Sequence, residues 1–194
     1  MLASQGFRDG CLFVVLVLLG VAGRFVCLDI PNFSPTASIA VFAGFYFSRR
    51  RLAVAVPLAV MLFSNFWLDA YTTWGELLVV YGAFLFPVYL SRGLCRRRDG
   101  RFRLSPAGMA TCCVAPSIVF FVTTNFAVWL FNGIYAPTVA GLVTCLVHAL
   151  PFYQYTLAGD LLFTPALIGG YYLLRYLRAA CAFEWPARPA SVRV

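Results

Sequence analysis

The chain contains no lysine, and all fifteen of its basic residues are arginine. That absence excludes a phosphate-loop lysine, a Schiff-base lysine and a lysine general base together. Histidine is nearly as scarce, with His148 standing alone, and the seven cysteines (Cys11, Cys27, Cys95, Cys112, Cys113, Cys145 and Cys181) are scattered without a C-x-x-C spacing. Neither a zinc site nor a disulfide framework is expected, and no cofactor; the cysteines read as small polarizable fillers between helices. The chain also lacks G-x-S-x-G, H-E-x-x-H and paired acids at catalytic spacing, so an enzyme is not expected. Charge of either sign is thin, 11% of residues against 62% apolar, which lies far outside the range of soluble globular domains.

What the chain has in abundance is apolar runs broken by short polar stretches, the pattern of an integral membrane protein. A spanning helix needs roughly 20 mostly apolar residues, with about 17 as a floor. The expected architecture is a single all-α domain, a polytopic bundle of six transmembrane helices over approximately 11–27, 36–48, 52–69, 76–91, 106–131 and 156–177. The run "APTVAGLVTCLVHALPF" is too short to span by length alone and is expected to form an interfacial or re-entrant helix over about 138–151, before the last span.

The run from Thr36 to Phe47 is also short, and arginine parity decides it. With the N-terminus inside and this run crossing, one face collects Arg8, Arg49, Arg50, Arg51, Arg92, Arg96, Arg97, Arg98, Arg101, Arg103, Arg175, Arg178, Arg188 and Arg193, fourteen of the fifteen. Without that crossing, the loop from Arg92 to Arg103 would change sides relative to Arg8 and break the positive-inside rule. Both termini are therefore expected to be cytoplasmic. The net charge of +8 is accounted for by the same rule, so the expected partner is the lipid bilayer and not nucleic acid.

Polar residues within or beside the spans gather at the opposite, outer end. Asn65 with Asp69, Asn125 with Trp129, and Thr156 with Asp160 are i, i+4 pairs that each share one helix face. Asn32 lies in the loop after the first span, Glu76 and Tyr81 near the start of the fourth, and Tyr153 just before the last. Arg24, the arginine that the positive-inside rule leaves over, falls about three residues before the outer end of the first span. An intramembrane charge needs a partner, a wet cavity or a place at the membrane edge, so Arg24 is expected to pair with Asp160 or Asp69. The bland alternatives are that Asp160 only caps a helix from Leu161 to Leu177, that Arg24 snorkels to the headgroups, and that the asparagines bridge helices. The substrate-binding candidates are Arg24, Asn32, Asn65, Asp69, Asn125, Trp129, Tyr153 and Asp160. Small residues such as Gly20 with Gly23, or Ala40 with Gly44, are candidates for a lipid-facing stripe that meets another subunit.

The stretches "IPNFSPTASIAVFAGFYF", "VPLAVMLFSN", "FFVTTNFAVWL" and "YAPTVAGLVTCLVHALPFYQYTLAGDLLFTPAL" resemble a family of uncharacterised bacterial six-helix membrane proteins. That family is similar in architecture to the S components of energy-coupling factor (ECF) vitamin transporters. It tends to carry an acid where this chain has Asn65, which lessens a proton or cation role there. The resemblance implies a bundle in the bacterial inner membrane that captures a small polar molecule from outside. It also implies a separate membrane coupling subunit and ATPases as partners, and the segment Val139 to Phe152 as a cap over the pocket. The alternative function is a structural or partner-binding membrane protein whose polar cluster only holds the bundle together.

Overall fold

The computed structural model describes residues 2–68, 73–98 and 101–182. Its helices are α1 (Leu2–Val26), α2 (Thr36–Tyr46), α3 (Arg50–Asn65), α4 (Trp74–Ala83), α5 (Leu85–Leu94), α6 (Pro106–Phe131) and α7 (Val139–Ala182). Two four-residue strands, β1 (Cys95–Arg98) and β2 (Arg101–Leu104), form an antiparallel hairpin between α5 and α6. The hairpin was not expected from the sequence, which there offers little beyond a run of arginines.

Among the described residues, four stretches are long and apolar enough to cross a membrane: Gln5–Val26, Trp74–Leu94, Pro106–Phe131 and Val139–Cys181. Pro106–Phe131 coincides with the expected span, and Trp74–Leu94 joins α4 to α5 across Phe84. The joint has a simple cause, because Pro87 cannot donate to the carbonyl of Ala83 one turn earlier. The helices α2 and α3 are shorter, at 11 and 16 residues.

The short α2 is the centre of the molecule. Its residues from Thr36 through Phe45 are all buried, and a helix that is apolar on every side is one that other helices surround. Around it pack α1, α3, α5, α6 and α7. The main core joins Ile39, Ala40, Val41, Phe42, Ala43 and Phe45 to Leu16, Val56, Val88, Cys112 and Ile168. Gly44 is what lets α2 and α5 meet, since a Cβ there would run into Ser91 Oγ and the carbonyl of Val88.

These contacts correct the expected lipid-facing stripe. Ala40 is fully buried, Gly44 faces α5, Gly20 faces Val60 and Ile39, and Gly23 faces Pro35. The small residues allow close approach inside the bundle. On the outside, large apolar side chains such as Leu18, Leu78, Val122 and Leu162 are at least 49% exposed, a surface suited to hydrocarbon.

The last helix differs from expectation as well. No loop separates a short helix at 138–151 from the final span, and α7 runs unbroken for 44 residues through Pro151 and Pro165. A proline inside a helix gives up one backbone bond and bends the helix without necessarily ending it. The first turns of α7 pack back along the end of α6, where Cys145 Sγ donates to the Asn125 carbonyl at 3.4 Å.

A candidate solute cavity at the Arg24 end

The fold has two unlike ends. At one, Tyr46 lies within electrostatic reach of Arg8, Asp9 and Arg178, and Arg92 donates to the carbonyls of Phe47 at 2.6 Å and Ser48 at 3.0 Å. At the other are the end of α1, the loop from 27 to 35, the start of α4, the end of α6 and the middle of α7. There two adjoining cavities open, of about 340 Å³ and about 400 Å³, and both are lined by Arg24, Asn32, Phe120 and Thr156.

The facing walls follow one spacing. Beside Phe120, the lining residues on α6 and its C-cap are Phe121, Thr124, Asn125, Val128 and Asn132; on α7 they are Ala149, Phe152, Tyr153, Thr156 and Asp160. Each set steps by i, i+3, i+4, i+7 and i+11, the stripe that a straight helix turns toward one side. Asn125 is fixed on its stripe because its side-chain amide donates to the Phe121 carbonyl at 2.7 Å. Phe121 and Tyr153 meet across the two helices with ring centroids 5.1 Å apart.

The loop forms the third wall. Ile30 N–H donates to the Cys27 carbonyl and Phe33 N–H to that of Ile30, so the chain turns repeatedly over a short distance. Asn32 takes φ 60°, a left-handed conformation that asparagine tolerates better than most residues. Behind the loop, Phe33 lies 5.4 Å from Phe163, centroid to centroid, and Gly159 leaves room for Ser34.

Asp160 sits at the base of the first cavity and is 2% exposed. Thr164 Oγ1 donates to Ser38 Oγ at 2.8 Å, and Ser38 in turn hydrogen-bonds the Asp160 side chain, which ties α7 to α2. The second carboxylate oxygen, Oδ2, is buried and has no hydrogen-bond partner. Asp160 lies well inside α7 and so is not a helix cap.

Arg24 is half-buried in the same cavity, and its Nη1 lies against the thioether sulfur of Met61. The expected ion pair with Asp160 is not formed. Both groups instead face shared space, each with hydrogen-bonding capacity to spare. Asp69, the other expected partner, lies outside the described residues.

Five expected residues therefore come together here: Arg24, Asn32 and Asp160 in the first cavity, and Asn125 with Tyr153 in the second alongside Arg24 and Asn32. Two others line neither cavity. Asn65 donates to Tyr81 Oη at 3.3 Å, bridging α3 to α4. Trp129 donates from Nε1 to the Ala136 carbonyl at 2.9 Å and lies tilted against Phe126, pinning the turn between α6 and α7. Sequence reading passed over Ser38, Thr164 and Phe120. Glu76, 6% exposed, lines the second cavity, and its backbone N–H donates to Oγ1 of the capping Thr73 at 3.3 Å.

Residues 6–183 match the model of a family of unknown function, DUF6580. The chain belongs to that family. The match covers both cavities and every helix from the second turn of α1 onward. No curated protein and no solved structure matches the chain.

Proposed function

We propose that this DUF6580 protein is a solute-binding subunit of a membrane transporter, which captures a small polar molecule in the cavity at the Arg24 end. The observation that carries this reading is a pair of adjoining cavities on the side where the polar residues gather, walled by aromatic rings and holding a buried carboxylate oxygen without a partner. A cluster serving only to hold helices together would be expected to satisfy itself and fill its space. Here Trp129 fits that structural role and Asn65 bridges two helices, with its Oδ1 buried and unpartnered, whereas Arg24, Asn32, Asn125 and Asp160 line open volume. Each volume lies within the range of about 300–1,000 Å³ usual for small-molecule sites.

The proposed setting is the bacterial inner membrane, with six crossings and the arginine-rich end cytoplasmic, as the positive-inside rule requires. The short α2, wrapped by its neighbours, serves as the second crossing without meeting lipid over most of its length. The first turns of α7 wall the outer cavity through Ala149 and Phe152. In the manner of an S component, the subunit would hand its solute on with a separate membrane coupling subunit and ATPases. No catalytic role is proposed for the cavity.

Native mass spectrometry of the gently purified chain tests the binding role. A small-molecule adduct that is present on the parent and lost in Asp160→Ala supports it. A parent without an adduct, and without thermal stabilisation by a panel of vitamins and related polar solutes, overturns it in favour of a structural cluster.

A further inference from the structure

The substrate class can be narrowed from the charges that the cavity leaves unmatched; this step rests on the binding role proposed above. Among the described residues the first cavity holds one cation and one anion, Arg24 and Asp160, on separate walls, the end of α1 and the middle of α7. Burying either group is costly unless something opposite or hydrogen-bonding answers it. Two such groups in one small space usually answer each other, and these do not. Arg24 spends one nitrogen on a thioether, a weak acceptor, and keeps most of its N–H donors for something else. Asp160 lines the cavity and receives Ser38, and its Oδ2 is buried without a hydrogen-bond partner. Glu76, the other acid on these walls among the described residues, is already partnered.

We propose that the cavity takes an amphoteric small molecule, one that carries both an anionic group such as a carboxylate, set on Arg24, and a cationic or N–H-donating group, set on Asp160, joined by a flat body. A purely anionic solute would leave the Asp160 oxygen buried and unanswered, and a purely cationic one would leave the Arg24 donors so. The flat body is called for by Phe33, Phe84 and Phe120, which line the space that both charges border. The polar amides Asn32 and Asn125 then read the edges of the ligand across the adjoining volume.

The test is a selection from a mixture. The purified full-length chain in mild detergent is equilibrated with a deproteinised bacterial metabolite extract, washed by rapid gel filtration, and its bound molecules are identified by mass spectrometry. Arg24→Gln and Asp160→Asn are run in parallel, with thermal unfolding as the check that each is folded. The expected result is enrichment of molecules bearing both an acidic and a basic or N–H-donating group, reduced on the order of tenfold or more in each variant. Enrichment of molecules with only one of the two groups, or of neutral ones, overturns the amphoteric assignment while leaving the binding role intact. Enrichment unchanged in both folded variants overturns the assignment of these two residues. No enrichment by the folded parent overturns the binding role itself, and the assignment with it.

Discussion

The two ends of this molecule use the same kind of side chain to opposite purposes. At the arginine-rich end Arg92 reaches across to α2 and satisfies the carbonyls of Phe47 and Ser48 as that helix finishes. Around it, the rings of Phe45 and Tyr46 pack against Tyr171 at 5.5 and 5.7 Å, and Gly44 brings α2 against α5. At the other end Arg24 reaches no carboxylate among the described residues, and Asp160 lines a cavity with one of its oxygens buried and unpartnered. One arginine closes a helix end; the other borders a hollow. A third hollow of about 370 Å³ does lie near Arg92, but that guanidinium is already engaged by two carbonyls. The lesson is that a buried polar group marks a site only when its partners are missing, and its residue type does not distinguish the cases.

That contrast can be broken most forcefully at Gly44. Gly44→Leu puts a side chain into Ser91 and the Val88 backbone, which cannot move aside cheaply. The expected loss is about 3 kcal/mol or more, read as a fall in folded yield and unfolding temperature in detergent. Arg92→Ala leaves the Phe47 and Ser48 carbonyls without their donor and is expected to cost about 1–3 kcal/mol, with no change in the masses of retained solutes. Loss of solute retention in a folded Arg92→Ala protein would erase the distinction between the ends.

Trp129→Phe removes the bond to Ala136 and is expected to cost about 1 kcal/mol. Hydrogen exchange should rise in the turn between α6 and α7 while solute binding is kept. The smallest stability effect is expected at Asp160. Asp160→Asn keeps the size of the side chain and removes an incompletely paired buried carboxylate, so the empty protein should stay within about 1 kcal/mol of the parent. A large loss of stability there would make Asp160 a structural residue like Arg92. Sidedness sharpens the comparison further: in a background without native cysteines, an impermeant thiol reagent applied to intact cells is expected to label Ala136→Cys and to spare Ser48→Cys.

The readable part of the site consisted of residues whose presence in an apolar sequence is costly. Arg24 and Asp160 stand out because nothing in hydrocarbon answers them, and Asn32 because it sits in a loop punctuated by prolines. Ser38, Thr164 and Phe120 gave no such signal. Serine and threonine can return their hydroxyl bond to their own helix, as Thr124 does to Phe120 at 2.7 Å, and a phenylalanine among many is ordinary. Trp129 shares a face with Asn125 by spacing, yet its indole is claimed by the nearest free carbonyl in the following turn.

By itself the sequence determined the helical class, most of the apolar runs and the gathering of polar residues toward one end, because hydrocarbon and backbone hydrogen bonding leave a chain of this composition few other choices. It did not determine that α2 would be the enclosed centre, that α7 would continue through Pro151, or that its small residues would pack inward. Those outcomes depend on which helix faces meet. Nor did it decide that Arg24 and Asp160 would share a cavity without pairing. Spacing along a helix fixes the face a residue occupies, but only the packing of α1, α2, α6 and α7 together fixes what stands opposite, and therefore whether two charges meet or leave room between them.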